Sequence, residues 1–354
     1  MSKPRLALIG CGYWGQNLLR NFVELREVEV KTVCDFDLGA LARLKRRYPL
    51  IDLEPDYRAV LSDARIDAVV IATPASTHYP IARKALLAGK HVLVETPMAT
   101  AGAEAFELVE LAQKRARMLM VDHTFLYTSA VRTLKSLVER ELGDMLYFDS
   151  ARISLGLVRS DLNVLWDLGA HDFSILNHLS GRDPVAVTAT GTRHFGCSFE
   201  NIAYVSAEFN GNLSAHFHLN WLSPVKMRRT LIGGSRKMII YDDLEASEKL
   251  KVYGKSPVLE HGTSVRETLL TGFQNGDMVA PVLETREALA GVAEDFAHAM
   301  IDKRPPLADG YFGYRVVRLL EAAQRSMTQH GRPVELSPAA APRIKTGKAV
   351  AISQ

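Results

Sequence analysis

Cysteine is scarce in this chain: Cys11, Cys34 and Cys197 are the only three in 354 residues. They lie too far apart for a zinc site or a disulfide framework and are expected as reduced, packed thiols, so the fold must rest on its own core. Long apolar runs are lacking as well. Nothing approaches the ~20 residues of a membrane span, and "LALIGCGYWG" near the start lacks the length and cleavage site of a secretory signal. The expectation is a cytoplasmic protein with no membrane partner. Charge of one sign is also missing. The 43 basic and 40 acidic residues leave a net +3, with no basic block to track a phosphate backbone, so no nucleic-acid partner is expected. No internal repeat is evident. What the chain does have is bulk. At 47% hydrophobic and 23% charged it can bury a large core, and its length exceeds the usual ~100 to 200 residues of one domain. Two domains are expected.

The first of them opens on "RLALIGCGYWGQNLLRNF". An apolar strand, Arg5 to Ile9, turns through Gly10-Cys11-Gly12-Tyr13-Trp14-Gly15 and continues with helical spacing at Leu18, Leu19 and Phe22. This is G-x-G-x-x-G in its strand-turn-helix setting. Gly10 permits the tight turn, Gly12 lets backbone amides approach a pyrophosphate, and Gly15 lets helix and strand pack closely. The helix N-terminus attracts the phosphate charge. A second strand, "VEVKTVCDFD", ends on Asp35, twenty residues beyond Gly15 (35 − 15 = 20). An acid there hydrogen-bonds the adenosine ribose. Asp35 and Asp37 flank Phe36 with no arginine adjoining, so a 2′-phosphate would meet negative charge: NAD is favoured and NADP disfavoured. The alternative is a flavodoxin-like sheet whose glycines serve packing alone.

Three more short apolar strands follow, in "IDAVVIATP", "KHVLVETP" and "RMLMVDH", separated by helical stretches such as "YPIARKALLAG". The pattern is that of a doubly wound parallel sheet. Thr73-Pro74, Glu95-Thr96 and His123 therefore stand at the carboxyl ends of strands, where open α/β sheets bind ligands, and His78 opens the next helix. For any one of these residues an ordinary loop or cap role competes.

Taken together, the glycine loop, "ATPASTH" (72–78), "VETPMA" (94–99), "VDHTFLY" (121–127) and "WDLGAHDFSILNHLSG" (166–181) resemble the glucose-fructose oxidoreductase, inositol dehydrogenase and MocA family of NAD(P)-dependent enzymes. The segment "NVLWDLGAHD" is similar to members associated with nucleotide-sugar chemistry. The resemblance implies an NAD-binding Rossmann domain at 1–122 and a substrate-binding and oligomerisation domain of α+β type at 123–354. It also implies a cofactor site made from Gly10 to Gly15, Asp35, Phe36, Thr73, Pro74, His78, Glu95 and Thr96. The family's usual tripeptide at 95–97 is Glu-Lys-Pro, its lysine near the reacting carbon. Here the middle residue is Thr96. A lysine can take a hydroxyl proton; a threonine can donate a hydrogen bond but is no base near neutral pH. Lys90 cannot substitute, because it precedes the strand and belongs to the opposite sheet edge.

Asp167 and His171 are four residues apart on an expected helix and so share a face. A carboxylate beside an imidazole can orient it and make it a proton carrier; a satisfied core histidine is the alternative. The resemblance puts the pair beside the nicotinamide, making Asp167, His171 and Thr96 the candidate catalytic set. Asp172 projects about 100° around the helix from His171 and is expected to serve structure; His178 reads as structural too. The segment "SARISLGLVRSDLNV" carries Arg152, Arg159 and Asn163; its arginines are candidates to grip a carboxylate or the diphosphate of a sugar nucleotide, with solvated surface arginines as the competing reading. His123, Tyr127 and Trp166 join Arg152, Asn163 and His171 as candidate substrate contacts. No metal is expected.

After residue 184 the texture turns to β. Asn210-Gly211 joins two alternating runs as a hairpin, and Gly233-Gly234-Ser235 falls between two more. A large, mainly antiparallel sheet with one covered and one open face is expected; the resemblance implies that the open face builds a homodimer or homotetramer. "TREALAGVAEDFAHAMIDK" and "YFGYRVVRLLEAAQRSM" carry helical periodicity and are expected to pack back near the domain junction. The tail from Ser337 reads as a loose arm. The leading functional expectation is hydride transfer between nicotinamide and a ring hydroxyl or ketone of a sugar or nucleotide-sugar. The rivals are redox-neutral NAD-assisted elimination or glycoside cleavage, and a non-catalytic regulatory protein.

Overall fold

A computed structural model describes residues 3–155, 161–254, 257–259, 270–273 and 276–339. Six strands, β1 (Arg5–Ile9), β2 (Glu29–Cys34), β3 (Asp52–Glu54), β4 (Ala68–Ile71), β5 (His91–Glu95) and β6 (Leu119–Asp122), form one sheet in the order β3-β2-β1-β4-β5-β6. Every neighbouring pair is parallel. Helices α1 (Tyr13–Glu24), α2 (Leu38–Arg47), α3 (Tyr57–Ser62), α4 (His78–Leu87) and α5 (Gly102–Lys114) make the crossovers. Helices on both faces explain why β4 is apolar and buried at each of its positions, without the alternation of a half-exposed strand. The strand order reverses between β1 and β4, which opens a crevice above their carboxyl ends.

The chain then runs through α6 (Ser129–Arg140) into β7 (Met145–Ile153), a π turn at Leu165–Gly169, and α7 (Ala170–Ser180). The strands β8 (Ala186–Thr192), β9 (Ile202–Glu208), β10 (Ser214–Asn220), β11 (Met227–Gly234), β12 (Met238–Asp242) and β13 (Leu250–Tyr253) follow. With short strands at Met278–Val279 and Val334–Glu335, β7 to β13 build a nine-stranded sheet whose order places β7 between β11 and β10. Its pairs are antiparallel except β7 with β10. Burial alternates along β9 and β10. Val205, Phe217 and Leu219 face inward, and Tyr204 and His216 face outward. The expected hairpin turn is present, with Gly211 at φ +90°, a left-handed conformation that favours glycine. Pro257–Leu259 pairs with Leu270–Phe273 in a separate two-stranded sheet.

Two C-terminal helices tie the halves together. From α8 (Ala288–Asp302), Leu289, Val292 and Phe296 enter one core with Leu6, Leu18 and Phe22. The rings of Phe22 and Phe296 meet edge to face at 6.1 Å. Burying a side chain such as Phe296 contributes about 1.5–3 kcal/mol. In α9 (Gly310–Thr328), a Cβ on Gly310 would lie 2.6 Å from Leu119, and one on Gly313 would lie 2.5 Å from Val121 and 2.7 Å from Met98. The last helices therefore pack at the junction, as their periodicity suggests. Arg159 and most of the tail after Ser337 lie outside the described residues. Among the described residues no helix is long and apolar enough to cross a membrane.

Candidate active site

The glycine loop fits a dinucleotide on steric grounds. Gly10 has φ +93°, and a Cβ there would stand 2.5 Å from the Ala72 carbonyl oxygen; one on Gly15 would stand 2.0 Å from the carbonyl oxygen of Gly10. At Gly12 a Cβ would meet no atom within 4 Å. That open space lies where a pyrophosphate approaches the backbone. Gly12 is also the cap residue of α1 and brings no side chain to its first-turn amides, which leaves them available to an anion.

Asp35 braces this loop from the end of β2. Its Oδ2 accepts the Cys11 amide at 2.7 Å and its Oδ1 accepts the Asp37 amide at 2.9 Å. Burial pushes the Asp35 carboxyl up, but those amides outweigh it and hold the group below its ordinary range. A carboxylate has about four lone-pair sites, so two amides leave room for ribose hydroxyls. Burial, reinforced by Asp35, pushes the Cys11 thiol up to about 12, and burial does the same to Cys34. Both are neutral packing groups.

A cavity of about 1200 Å³ extends from Phe36, Asp37 and Arg43 past the glycine loop and Thr73-Pro74 to Ser154, Asp161, Asp167, Leu168 and Trp221. Single-ligand pockets usually span about 300–1,000 Å³, so there is room for a cofactor and a second molecule. Phe36, 88% exposed, stands on the rim, as does the edge-to-face pair of Tyr13 and Trp14. Arg43 was not legible at this end, because it arrives from the second turn of α2; its Nη2 lies 3.8 Å from Asp37 Oδ2.

The two turns beyond β4 and β5 are cross-linked. Thr73 Oγ1 and Thr77 Oγ1 lie 2.7 Å apart. The Thr96–Pro97 bond is cis, and the Thr96 amide donates to Glu95 Oε2 at 3.3 Å. His78 spans both turns, its ring nitrogens 2.8 Å from the Pro97 carbonyl oxygen and 2.7 Å from that of Thr73. Lys90 stays away, its ammonium donating to the Asp63 and Ile66 carbonyls.

Across the crevice, Asp167 sits inside the π turn, not in a regular α-helix as its spacing suggested. π turns concentrate at functional sites. Asp167 reaches the cavity, and its Oδ2 accepts the indole N–H of Trp221 at 3.1 Å. Trp221, 1% exposed, follows β10 directly. Its signal was slight: an indole just past an alternating strand reads as packing. His171 lies in the first turn of α7, its ring centroid 5.1 Å from that of Phe125 in an edge-to-face arrangement.

Several expected substrate contacts are engaged elsewhere. The Arg152 guanidinium is buried, donates Nε and Nη2 to Asp172 Oδ1 at 2.9 and 2.7 Å, and stacks 4.4 Å from the Phe125 ring. The inward face of β7 puts it under α7, with its guanidinium committed to Asp172. Asn163 is buried, donates to Glu200 and Gln324, and accepts the Trp166 amide; it caps the π turn. Trp166 is buried beside it. Tyr127 donates to Asp295 of α8 at 2.8 Å. His123 is 2% exposed, edge-on to Phe312 at 5.4 Å, and neither ring nitrogen has a partner among the described residues. Burial pushes it down to about 3, so it is neutral.

Residues 4–123 match the model of an oxidoreductase family with an NAD-binding Rossmann fold, and residues 131–240 match the C-terminal domain of the GFO/IDH/MocA family. UDP-N-acetylglucosamine 3-dehydrogenase of Acidithiobacillus ferrooxidans is 30% identical over 323 residues, covering 90% of this chain and 95% of the relative. A solved structure of that enzyme superposes with a TM-score of 0.79 and 26% identity, covering 93% of this chain and 99% of the other. A glycosyl hydrolase family 109 protein of Shewanella sp. (strain ANA-3) is 33% identical over 163 residues, 43% of this chain and 36% of the relative.

Proposed function

The chain belongs to the GFO/IDH/MocA oxidoreductase family, and within it we propose that it is an NAD-dependent dehydrogenase or ketoreductase of a nucleotide-sugar. The observation that carries the reading is the position of Asp167. It lines the same cavity as the glycine loop and is pinned by Trp221, so a carboxylate from the second domain faces the cofactor cradle of the first. The full-length similarity to a UDP-N-acetylglucosamine dehydrogenase supports a UDP-linked sugar as the substrate.

The cofactor, when bound, accepts or returns the hydride of the ring carbon. The protein's own groups do the rest. Gly12 and the first turn of α1 hold the diphosphate, Asp35 the ribose, and the Thr73–Pro74 turn lines the cavity beside them. His171 takes the hydroxyl proton as the ketone forms and returns it in the reverse direction; Asp167 orients the sugar or that imidazole. Thr96 donates a hydrogen bond to the substrate oxygen without serving as its base. The open face of the second sheet, with exposed Tyr204 and Met227 around a hollow of about 630 Å³, is our assignment for self-association. A monomeric mass by light scattering would remove it.

The test is NADH formation at 340 nm with NAD and a panel of UDP-sugars, run beside His171→Ala and Thr96→Lys. Turnover abolished by His171→Ala supports the reading. Binding of NADH with no turnover of any UDP-sugar by any of the proteins counts against it. Thr96 and the similarity to a family 109 glycosyl hydrolase over part of the chain favour a second reading, redox-neutral chemistry with the hydride returned. Its mark is substrate conversion without net NADH.

A further inference from the structure

His78 is 2% exposed, and both of its ring nitrogens face carbonyl oxygens, those of Pro97 at 2.8 Å and Thr73 at 2.7 Å. A neutral imidazole has one N–H and one lone pair, whereas a backbone carbonyl can only accept. Whichever tautomer is chosen, a neutral ring points a lone pair at an oxygen at hydrogen-bond distance. Only the imidazolium satisfies both contacts. From this geometry we infer that His78 is a buried imidazolium, a positioning residue that staples the Thr96–Pro97 turn to the Thr73–Pro74 turn. It holds a fixed positive charge one residue from the slot where lysine is expected and Thr96 stands.

The surroundings bear on this in both directions. His78 begins α4, and the positive end of a helix dipole disfavours a cation there. Against it stand two charge-assisted hydrogen bonds, roughly twice as strong as neutral ones. The turn at residues 72–77 carries no ionisable side chain, and the turn at 95–97 carries one, Glu95. The charged groups next along α4 pair outward: Arg83 with Glu107, and Lys84 with the Tyr57 hydroxyl. A ring with both protons committed to carbonyls is no proton carrier. Its contribution is electrostatic and geometric: it fixes the separation of the turns at the carboxyl ends of β4 and β5 and lowers the cost of negative charge on an oxygen held by Thr96.

The protonation state is read directly from long-range 1H–15N correlation spectra of the histidine-labelled full chain at pH 7.5, with His78 assigned by its loss in His78→Gln. Two protonated ring nitrogens, with and without NAD, are expected. One unprotonated nitrogen at residue 78 overturns the inference, whatever the protein's activity. Should His78→Gln fail to fold, neutron diffraction from the unmodified protein gives the same reading. The electrostatic part rests on the dehydrogenase reading and has its own measurement. Glutamine keeps an N–H donor but no charge, so kcat for a UDP-sugar should fall about tenfold or more while NADH affinity holds within about twofold. An unchanged kcat removes the electrostatic role and leaves the spectroscopic result untouched.

Discussion

Trp221 donates its indole N–H to Asp167 across 3.1 Å, joining the residue after β10 to the π turn ahead of α7. A hydrogen bond to a charged acceptor is worth about 1.5–3 kcal/mol, and each ~1.4 kcal/mol is a factor of ten. Trp221→Phe keeps most of the buried volume and deletes that bond. Its kcat/KM for the sugar substrate should drop about ten- to hundredfold, with NADH affinity little changed. Steady-state kinetics beside an NADH titration checks this, and equal losses in both would mean a general collapse of the site.

Asp35 accepts two backbone amides of the cofactor loop, so its removal costs both loop order and the ribose contact. Asp35→Asn should weaken NADH binding by about tenfold or more and shift preference toward NADPH, since Arg43 already lines that end of the cavity. Protein-fluorescence titrations with the two dinucleotides measure the ratio.

The Arg152–Asp172 pair lies buried between β7 and α7. Deleting one partner of a buried pair leaves an uncompensated charge and costs about 3–5 kcal/mol, whereas replacing both with apolar residues is often neutral. Asp172→Ala should therefore lower the urea midpoint sharply, and Arg152→Met with Asp172→Leu should recover most of it. If Arg152 instead bound substrate, the double variant would be stable but raise KM steeply.

His123 supplies a pH dependence. Its folded-state value, about 3, lies below the ordinary 6.5, so between these pH values the unfolded chain binds the extra proton. Stability present above pH ~6.5 is lost as pH falls, at about 1.4 kcal/mol per unit. Asp122, pushed up to about 6 by burial, acts in the opposite sense between about 6 and 4. Comparing proteins isolates the histidine: His123→Leu should lose about 1–2 kcal/mol less than the unmodified chain between pH 6.5 and 5. Thermal unfolding at the two pH values decides it, and parallel losses would refute it.

What the sequence alone determined is local. Alternating and continuous apolar runs, the glycine spacing, the acid at Asp35 and the turn at Asn210-Gly211 are set by backbone sterics and short-range periodicity, and each is found where its pattern puts it. Strand-end residues such as Thr73 and Thr96 could likewise be placed at the ligand edge of the sheet, because parallel strands share a direction. Side-chain partners separated by tens or hundreds of residues were decided only by the tertiary structure. Arg152 looked like a ligand-gripping arginine until the inward face of β7 buried it against Asp172. Trp221 carried no site signal in the sequence, and only the fold brought Asp167 of the π turn to its N–H. His78 read as a cofactor-site residue opening a helix, and packing set two carbonyls on its ring. A sequence carries the chemistry of each donor and acceptor, but which acceptor a buried donor finds depends on where the whole core comes to rest.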